Sequence, residues 1–346
     1  MNRSYLITGG AGFIGSNYAA RLLERGENVT IFDNLVRSGT ESNIKWLQEK
    51  YGANSFEWIR EDVRNAAAVD KAVKNADVVV HLAGQVAVTS SVIDPMYDFS
   101  VNAGGTLTVL EAVRKAGHRP IVIYSSTNKV YGGMENMTLI EEDHAYRYKD
   151  FPLGISEDQP LDFHSPYGCS KGAGDQYVRD YARIYGIPTV VMRQSCIYGT
   201  RQFGVEDQGW VAWFIIAAIV GRPITIYGDG KQVRDVLFID DLMNAYDLAV
   251  DNIDKAAGEV FNVGGGPRNT MSIWAEFHAY LEQLIDREIP VTWSDWRPGD
   301  QKIYVSDIRK AKKIIQWEPK VGVEEGITRL FNWVREYKSL FENNEQ

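Results

Sequence analysis

Short β-branched runs alternate with amphipathic stretches through the first half of the chain. The segments 4–8 (SYLIT), 28–32 (NVTIF), 55–59 (SFEWI), 77–82 (DVVVHL) and 120–126 (PIVIYSS) predict strands. Between them, apolar positions recur at helical spacing over 13–25, 41–50, 65–74 and 95–116. Strands that are apolar on both faces and separated by helices predict a parallel sheet covered on both sides and wound by right-handed crossovers. A helix over 167–185 and a strand over 188–192 continue the alternation. Beyond them the pattern loosens, with helical periodicity near 210–220, 271–284, 306–315 and 323–337 and short strands near 224–227 and 260–263. The expected class is α/β: a doubly wound parallel sheet over 1–195 and a smaller mixed α/β domain over 196–346, with segments near 225–265 returning to the first. The polar tail from Glu342 is expected to fray.

The chain has 346 residues, 45% of them hydrophobic and 24% charged, enough for a large core and two lobes. A net charge of −9 argues against a broad nucleic-acid surface, which needs clustered excess Lys and Arg. It leaves room for a small anionic ligand, because a few placed arginines suffice for a diphosphate. Cys169 and Cys196 are the only cysteines, so there is no disulfide framework and no four-ligand metal spacing. No apolar run reaches the ~20 residues of a membrane span; the run at 211–220 is expected to be a buried or interface helix. The N-terminus enters a strand almost at once and lacks a signal-peptide pattern, which makes cytoplasmic the expected location.

TGGAGFIG places Gly9, Gly12 and Gly15 between the first strand and the first helix. In that context Gly9 permits the tight turn, Gly12 lets backbone approach a pyrophosphate, and Gly15 lets helix and strand pack closely. The helix N-terminus adds unpaired N–H donors and a dipole that favours an anion. Asp33 ends the second strand, where a carboxylate accepts hydrogen bonds from an adenosine ribose and repels a 2′-phosphate. NAD is therefore favoured over NADP, although Arg37 nearby could recruit such a phosphate. Asp62 and Val63 follow the third strand, where adenine should lie, and HLAG brings Leu82, Ala83 and Gly84 past the cofactor. His81, at a strand end, is expected to be a packing residue.

SPYGCSK carries Tyr167 and Lys171 four residues apart, on one face of a helix. A phenol of pKa about 10 is a poor base at neutral pH, and a neighbouring ammonium should favour its phenolate. The same lysine could hold a nicotinamide ribose. YSSTNKVYG ends the fifth strand, so Ser125, Ser126 and Thr127 should emerge at the carboxyl edge of the sheet, where ligands bind. Thr127 is the hydroxyl placed to hold a reacting alcohol and pass its proton to Tyr167.

With TGGAGFIG, Asp33, HLAG, SSTNKVYG and Tyr167-x-x-x-Lys171 in this order, the chain resembles the extended short-chain dehydrogenases/reductases over nearly its whole length. That resemblance implies an NAD-binding Rossmann domain, a smaller nucleotide-sugar domain and assembly as a homodimer or homotetramer. HLAGQVAVTSS, LDFHSPYGCSKGAGDQY and RQFGVEDQGWVAWF are longer and more specific, and resemble the family's CDP-hexose 2-epimerases. This implies inversion of C2 of a CDP-hexose, CDP-paratose to CDP-tyvelose, in the making of lipopolysaccharide O-antigen. The same-class alternatives are a nucleotide-sugar 4-epimerase and a broader 2-epimerase; a non-catalytic NAD sensor would not need the trio.

By position the resemblance implies Thr127, Tyr167 and Lys171 as the catalytic trio. It implies Gly9, Gly12, Phe13, Ile14, Asp33, Asn34, Asp62, Val63, Leu82, Ala83, Gly84, Asn102 and Ser125 as NAD contacts, and Gln85, Thr127, Asn128, Cys196, Gln232, Arg234 and Arg297 as substrate contacts. Arg234 and Arg297 would clamp the diphosphate, a task suited to guanidinium forks. Two departures stand out. Related sugar 4,6-dehydratases follow the threonine with Asp-Glu, where this chain has Asn128-Lys129 and so lacks the machinery of dehydration. Cys196 replaces an asparagine common in relatives, and could equally be a structural thiol.

Overall fold

A computed structural model describes residues 2–297 and 300–342. In chain order the strands are β1 (Ser4–Thr8), β2 (Asn28–Phe32), β3 (Glu57–Ile59), β4 (Val78–His81), β5 (Ile121–Thr127), β6 (Leu139–Glu141), β7 (Tyr146–Tyr148), β8 (Thr189–Gln194), β9 (Cys196–Tyr198), β10 (Ile224–Tyr227), β11 (Val233–Phe238), β12 (Val260–Val263), β13 (Thr270–Ser272), β14 (Val291–Ser294) and β15 (Ile303–Tyr304). Seven of them form one sheet in the order β12-β8-β5-β4-β1-β2-β3, every neighbouring pair parallel. The sequence reverses direction between β1 and β4, the place in such sheets where a ligand crevice opens.

Alternate residues of the central strands feed two cores. Ile7, Val80, Ile123 and Met192 face one side, while Leu6, Val79, Val122 and Val191 face the other. Helices cover both faces: α1 (Phe13–Glu24), α2 (Thr40–Tyr51), α3 (Ala66–Val73), α4 (Val88–Ile93), α5 (Pro95–Phe99), α6 (Gly105–Ala116), α7 (Ser165–Tyr185), α8 (Trp210–Val220) and α9 (Ile239–Asp251). The apolar run 211–220 lies in α8, which packs on the helix Val323–Glu336 and buries Ala212, Ile215 and Ala217 completely. No helix among the described residues is long and apolar enough to cross a membrane.

Three expected helices differ in form. The stretch 95–116 is broken by a π turn, Ser100–Gly104, between α5 and α6. The Asn102 amide in this turn donates to Asp98 and Ser170 and pairs with the Gln85 backbone in both directions. Such inserted residues re-aim a side chain. The stretch 271–284 begins as β13, because Met271 pairs with Arg234 of β11, and its helix runs only over Phe277–Ile285. Ser306 is likewise drawn out of the next helix: its N–H donates to Asp235, and helix resumes at Arg309. Glu342 closes a last helical turn from Ser339; the remainder of the tail, 343–346, lies outside the described residues.

Candidate functional site

The turn between β1 and α1 is shaped by its glycines. Gly9 sits at φ +69°, and a side chain there would meet the Ala83 backbone N at 2.7 Å. A Cβ on Gly15 would lie 2.4 Å from the Gly9 carbonyl oxygen. On Gly12 it would meet only that same oxygen, at 3.2 Å, so this side of the turn is open. α1 starts at Gly12 with no side-chain cap and no acidic residue in its first turn. Its N-terminal N–H groups therefore present an anion site to the cleft beyond.

That cleft, with the open space at its mouth, spans about 1140 Å³. Its walls contain Gly9, Gly12, Phe13, Ile14, Asp33, Asn34, Asp62, Val63, Leu82, Ala83, Gly84 and Ser125. The Asp33 carboxylate accepts N–H bonds from Ala11 at 3.0 Å and Leu35 at 2.8 Å, while burial raises its pKa. Asn34 donates to Asp62 at 2.9 Å, and the Arg64 guanidinium holds the Asp62 carboxyl down to about 2. A buried carboxylate at one end, a bare helix N-terminus midway and a cradle that side chains would fill suit an adenine dinucleotide.

A second cavity of about 910 Å³ shares Phe13, Leu82, Gly84 and Ser125 with the first, so the two open into each other. Thr127, Tyr167, Lys171 and Cys196 line it. Thr127 arrives at the carboxyl end of β5, and its hydroxyl faces the Tyr167 phenol. Tyr167 and Lys171 sit on the first turns of α7. The expected lowering of the phenol by Lys171 does not occur. Burial pushes Tyr167 up to about 12, and Lys171 is not among the charges acting on it. The reason is geometric: the Lys171 ammonium donates to the Ser125 carbonyl at 2.5 Å and lies 4.5 Å from the Tyr124 ring centre. Burial lowers Lys171 itself to about 8. Burial likewise pushes the Cys196 thiol up.

Several of the expected contact residues are engaged with partners inside the protein. The Gln85 side chain folds onto its own backbone, exchanging hydrogen bonds with Ala87 in both directions. It braces its own loop. Asn102 is spent on Gln85, Asp98 and Ser170, so it braces the wall without entering the cleft. Asn128 is buried behind Thr127, whose hydroxyl donates to it at 3.4 Å. Gln232 is fully buried and donates to the Tyr227 carbonyl at 2.6 Å. Arg234 forms an ion pair with Asp300 at 2.8 Å, and Arg297 lies over the Tyr227 ring at 3.9 Å with Asp207 3.3 Å away. Pro298 and Gly299, which follow Arg297, lie outside the described residues.

His81 is a packing residue: Thr8 and Thr106 hold its ring nitrogens at 2.7 and 3.0 Å, and burial lowers it to about 3. Sequence reasoning missed two features. Arg37 reaches across to donate to Gln208, and Gln202 and Gln208 wall both cavities. The length and specificity of the block at 201–214 was the available signal. Behind the pocket, Asp175 takes both arms of Arg193 at 2.8 and 2.9 Å and a bond from Ser126.

Comparison with known proteins gives this geometry a lineage. The chain is 45% identical to the CDP-paratose 2-epimerase of Salmonella typhi, over 95% of this chain and 98% of that one. The UDP-glucose 4-epimerase of Thermotoga maritima, solved with UDP-glucose, superimposes with a TM-score of 0.81 at 30% identity, covering 97% and 99% of the two chains. The UDP-glucuronic acid 4-epimerase of Bacillus cereus, solved with UDP-glucuronic acid and NAD, gives 0.80 at 29% identity, covering 96% and 99%. The GDP-mannose 4,6 dehydratase family pattern matches residues 6–330. The chain belongs to this family of extended short-chain dehydrogenases/reductases.

Proposed function

We propose that this enzyme inverts C2 of a CDP-hexose, CDP-paratose to CDP-tyvelose, by transient oxidation with bound NAD. The observation that carries the reading is the meeting of the two cavities: the dinucleotide-shaped cleft opens directly onto Thr127, Tyr167 and Lys171. The choice of C2 and of CDP rests on the likeness to the Salmonella typhi enzyme.

Asp33 would hold the adenosine ribose, the α1 N-terminus the pyrophosphate, Asp62 and Val63 the adenine side, and Lys171 the nicotinamide ribose. Bound NAD would supply reversible hydride transfer at the sugar carbon. Thr127 holds the substrate hydroxyl, and Tyr167 exchanges its proton in each direction. A phenol that burial keeps neutral is well suited to the return half, where it gives a proton to the keto oxygen. The outward half needs the phenolate, which the hydrogen bond from the Thr127 hydroxyl favours. Asn128 and Lys129 offer no carboxyl pair for eliminating water.

Arg234 and Arg297 would meet the diphosphate, exchanging their carboxylate partners for phosphate oxygens. Exposed apolar side chains on α4, α5 and α7, among them Ile93, Met96 and Ile184, support association of two or more copies. A cytoplasmic location fits a sugar-nucleotide substrate. The test is to incubate the purified protein with CDP- and UDP-hexoses and locate the inverted carbon by NMR. Inversion at C2 of a CDP-sugar is expected; inversion at C4 would replace this reading with the 4-epimerase.

A further inference from the structure

We propose that Lys129, together with Arg234, grips the phosphate attached to the sugar's anomeric carbon and thereby brings C2 rather than C4 to Thr127 and Tyr167. The proposal deepens the 2-epimerase reading and rests on it.

Lys129 follows Thr127 by two residues, in the 3-10 turn Asn128–Tyr131 that leaves β5. Protein surrounds its side chain, yet it keeps some accessible surface. Among the described residues its one hydrogen bond runs to the Gln301 amide oxygen at 3.3 Å, a long contact to a neutral group. An ammonium has three donors. The charged and titratable groups that act on it are Arg234, Asp300 and Cys196. Asp300 is already engaged, by Arg234 at 2.8 Å and by the Gln301 N–H at 2.9 Å.

Arg234 thus holds the carboxylate nearest the two cations, and among the described residues the buried Lys129 ammonium retains donors with no acceptor. Burial and the Arg234 charge hold Lys129 down to about 8. An anion entering beside Lys129 would offset both effects and restore full charge. Lys129 adjoins the reacting centre, because it follows Thr127 by two residues and Cys196, which acts on it electrostatically, lines the Thr127–Tyr167 cavity.

The chemistry of the substrate turns this charge into selection. In a sugar nucleotide the diphosphate is joined to C1; C2 is bonded to C1, whereas C4 lies across the ring. A phosphate fixed next to the Thr127–Tyr167 cavity brings C2 within reach of those hydroxyls and leaves C4 outside. The keto sugar can then turn about the bonds between C1 and the anchored phosphate to expose its other face.

The experiment compares Lys129→Met and Lys129→Arg in the full-length protein, measuring CDP and CMP binding, CDP-hexose turnover and melting temperature. CDP carries the phosphate in question and CMP lacks it. The methionine variant should bind CDP about 10- to 100-fold more weakly, the range expected for one charge-assisted contact, and raise KM alike. CMP affinity and melting temperature should stay as in wild type, and arginine should restore most CDP affinity. Equal losses for CDP and CMP, or wild-type CDP binding by Lys129→Met, would overturn the phosphate grip. Were the wild-type enzyme to invert C4, the 2-epimerase reading and the selection of C2 would fall together, while the CDP and CMP arms would still judge the grip.

Discussion

Lys171 donates its ammonium to the carbonyl oxygen of Ser125 at 2.5 Å, which ties the charge to a residue that lines both cavities. Burial lowers this lysine to about 8 whereas Tyr167 is raised to about 12. The alkaline limb of the rate profile therefore belongs to lysine. We expect kcat/KM to fall as pH rises through about 8. The Lys129→Arg variant, which keeps its charge, isolates the share due to Lys171. Stability should move oppositely. The folded pKa lies below the ordinary lysine value of 10.5, so between about 8 and 10.5 the unfolded chain binds more protons and stability rises with pH. A rate profile that stays level to pH 10 would refute the assignment.

Tyr167→Phe removes only a hydroxyl from a nearly buried ring. Turnover should fall by the ~10²–10⁴ expected for a lost acid–base group, with bound NAD and melting temperature close to wild type. Undiminished turnover would sink the proposed proton path.

The Arg193–Asp175 pair is almost fully out of solvent, at 2% and 0% side-chain exposure. Asp175→Asn leaves the guanidinium buried without its carboxylate and should cost roughly 3–5 kcal/mol. Urea unfolding measures this; a loss below about 1 kcal/mol, the scale of exposed pairs, would mean that water reaches Arg193.

Substrate deuterated at C2 should give product that keeps the label at C2, because a hydride that leaves and returns within one closed site does not mix with water. Deuterium at C4 should be a spectator. Washout of the C2 label would point instead to proton abstraction beside a carbonyl.

The sheet was legible because β1, β4, β5 and β8 are apolar on both faces, a pattern that local sequence carries by itself. The break between α5 and α6 was not, because its cause is tertiary: Asn102 is held by Gln85 and Ser170, distant in sequence. The short strands β9, β11, β13 and β15 escaped for the same reason, each paired with a remote segment. At the site, glycine spacing and the i, i+4 pair marked Gly9, Gly12, Tyr167 and Lys171, whose roles depend on local geometry. The local closure of Gln85 onto Ala87 and the reach of Arg37 to Gln208 depend on where side chains turn, which spacing does not encode.

The pairing of β12 with β8 joins residues 260–263 to residues 191–194. A nascent chain that has emerged only as far as residue 195 would expose β8 as a raw edge, apolar on both faces and open to any passing strand. The nucleotide-binding sheet is sealed only once residue 263 has left the ribosome, after α8 and β11 are already out. Vectorial synthesis thus obliges the two halves to mature together, and a gene fragment ending between β8 and β12 should yield aggregates instead of a small NAD-binding protein.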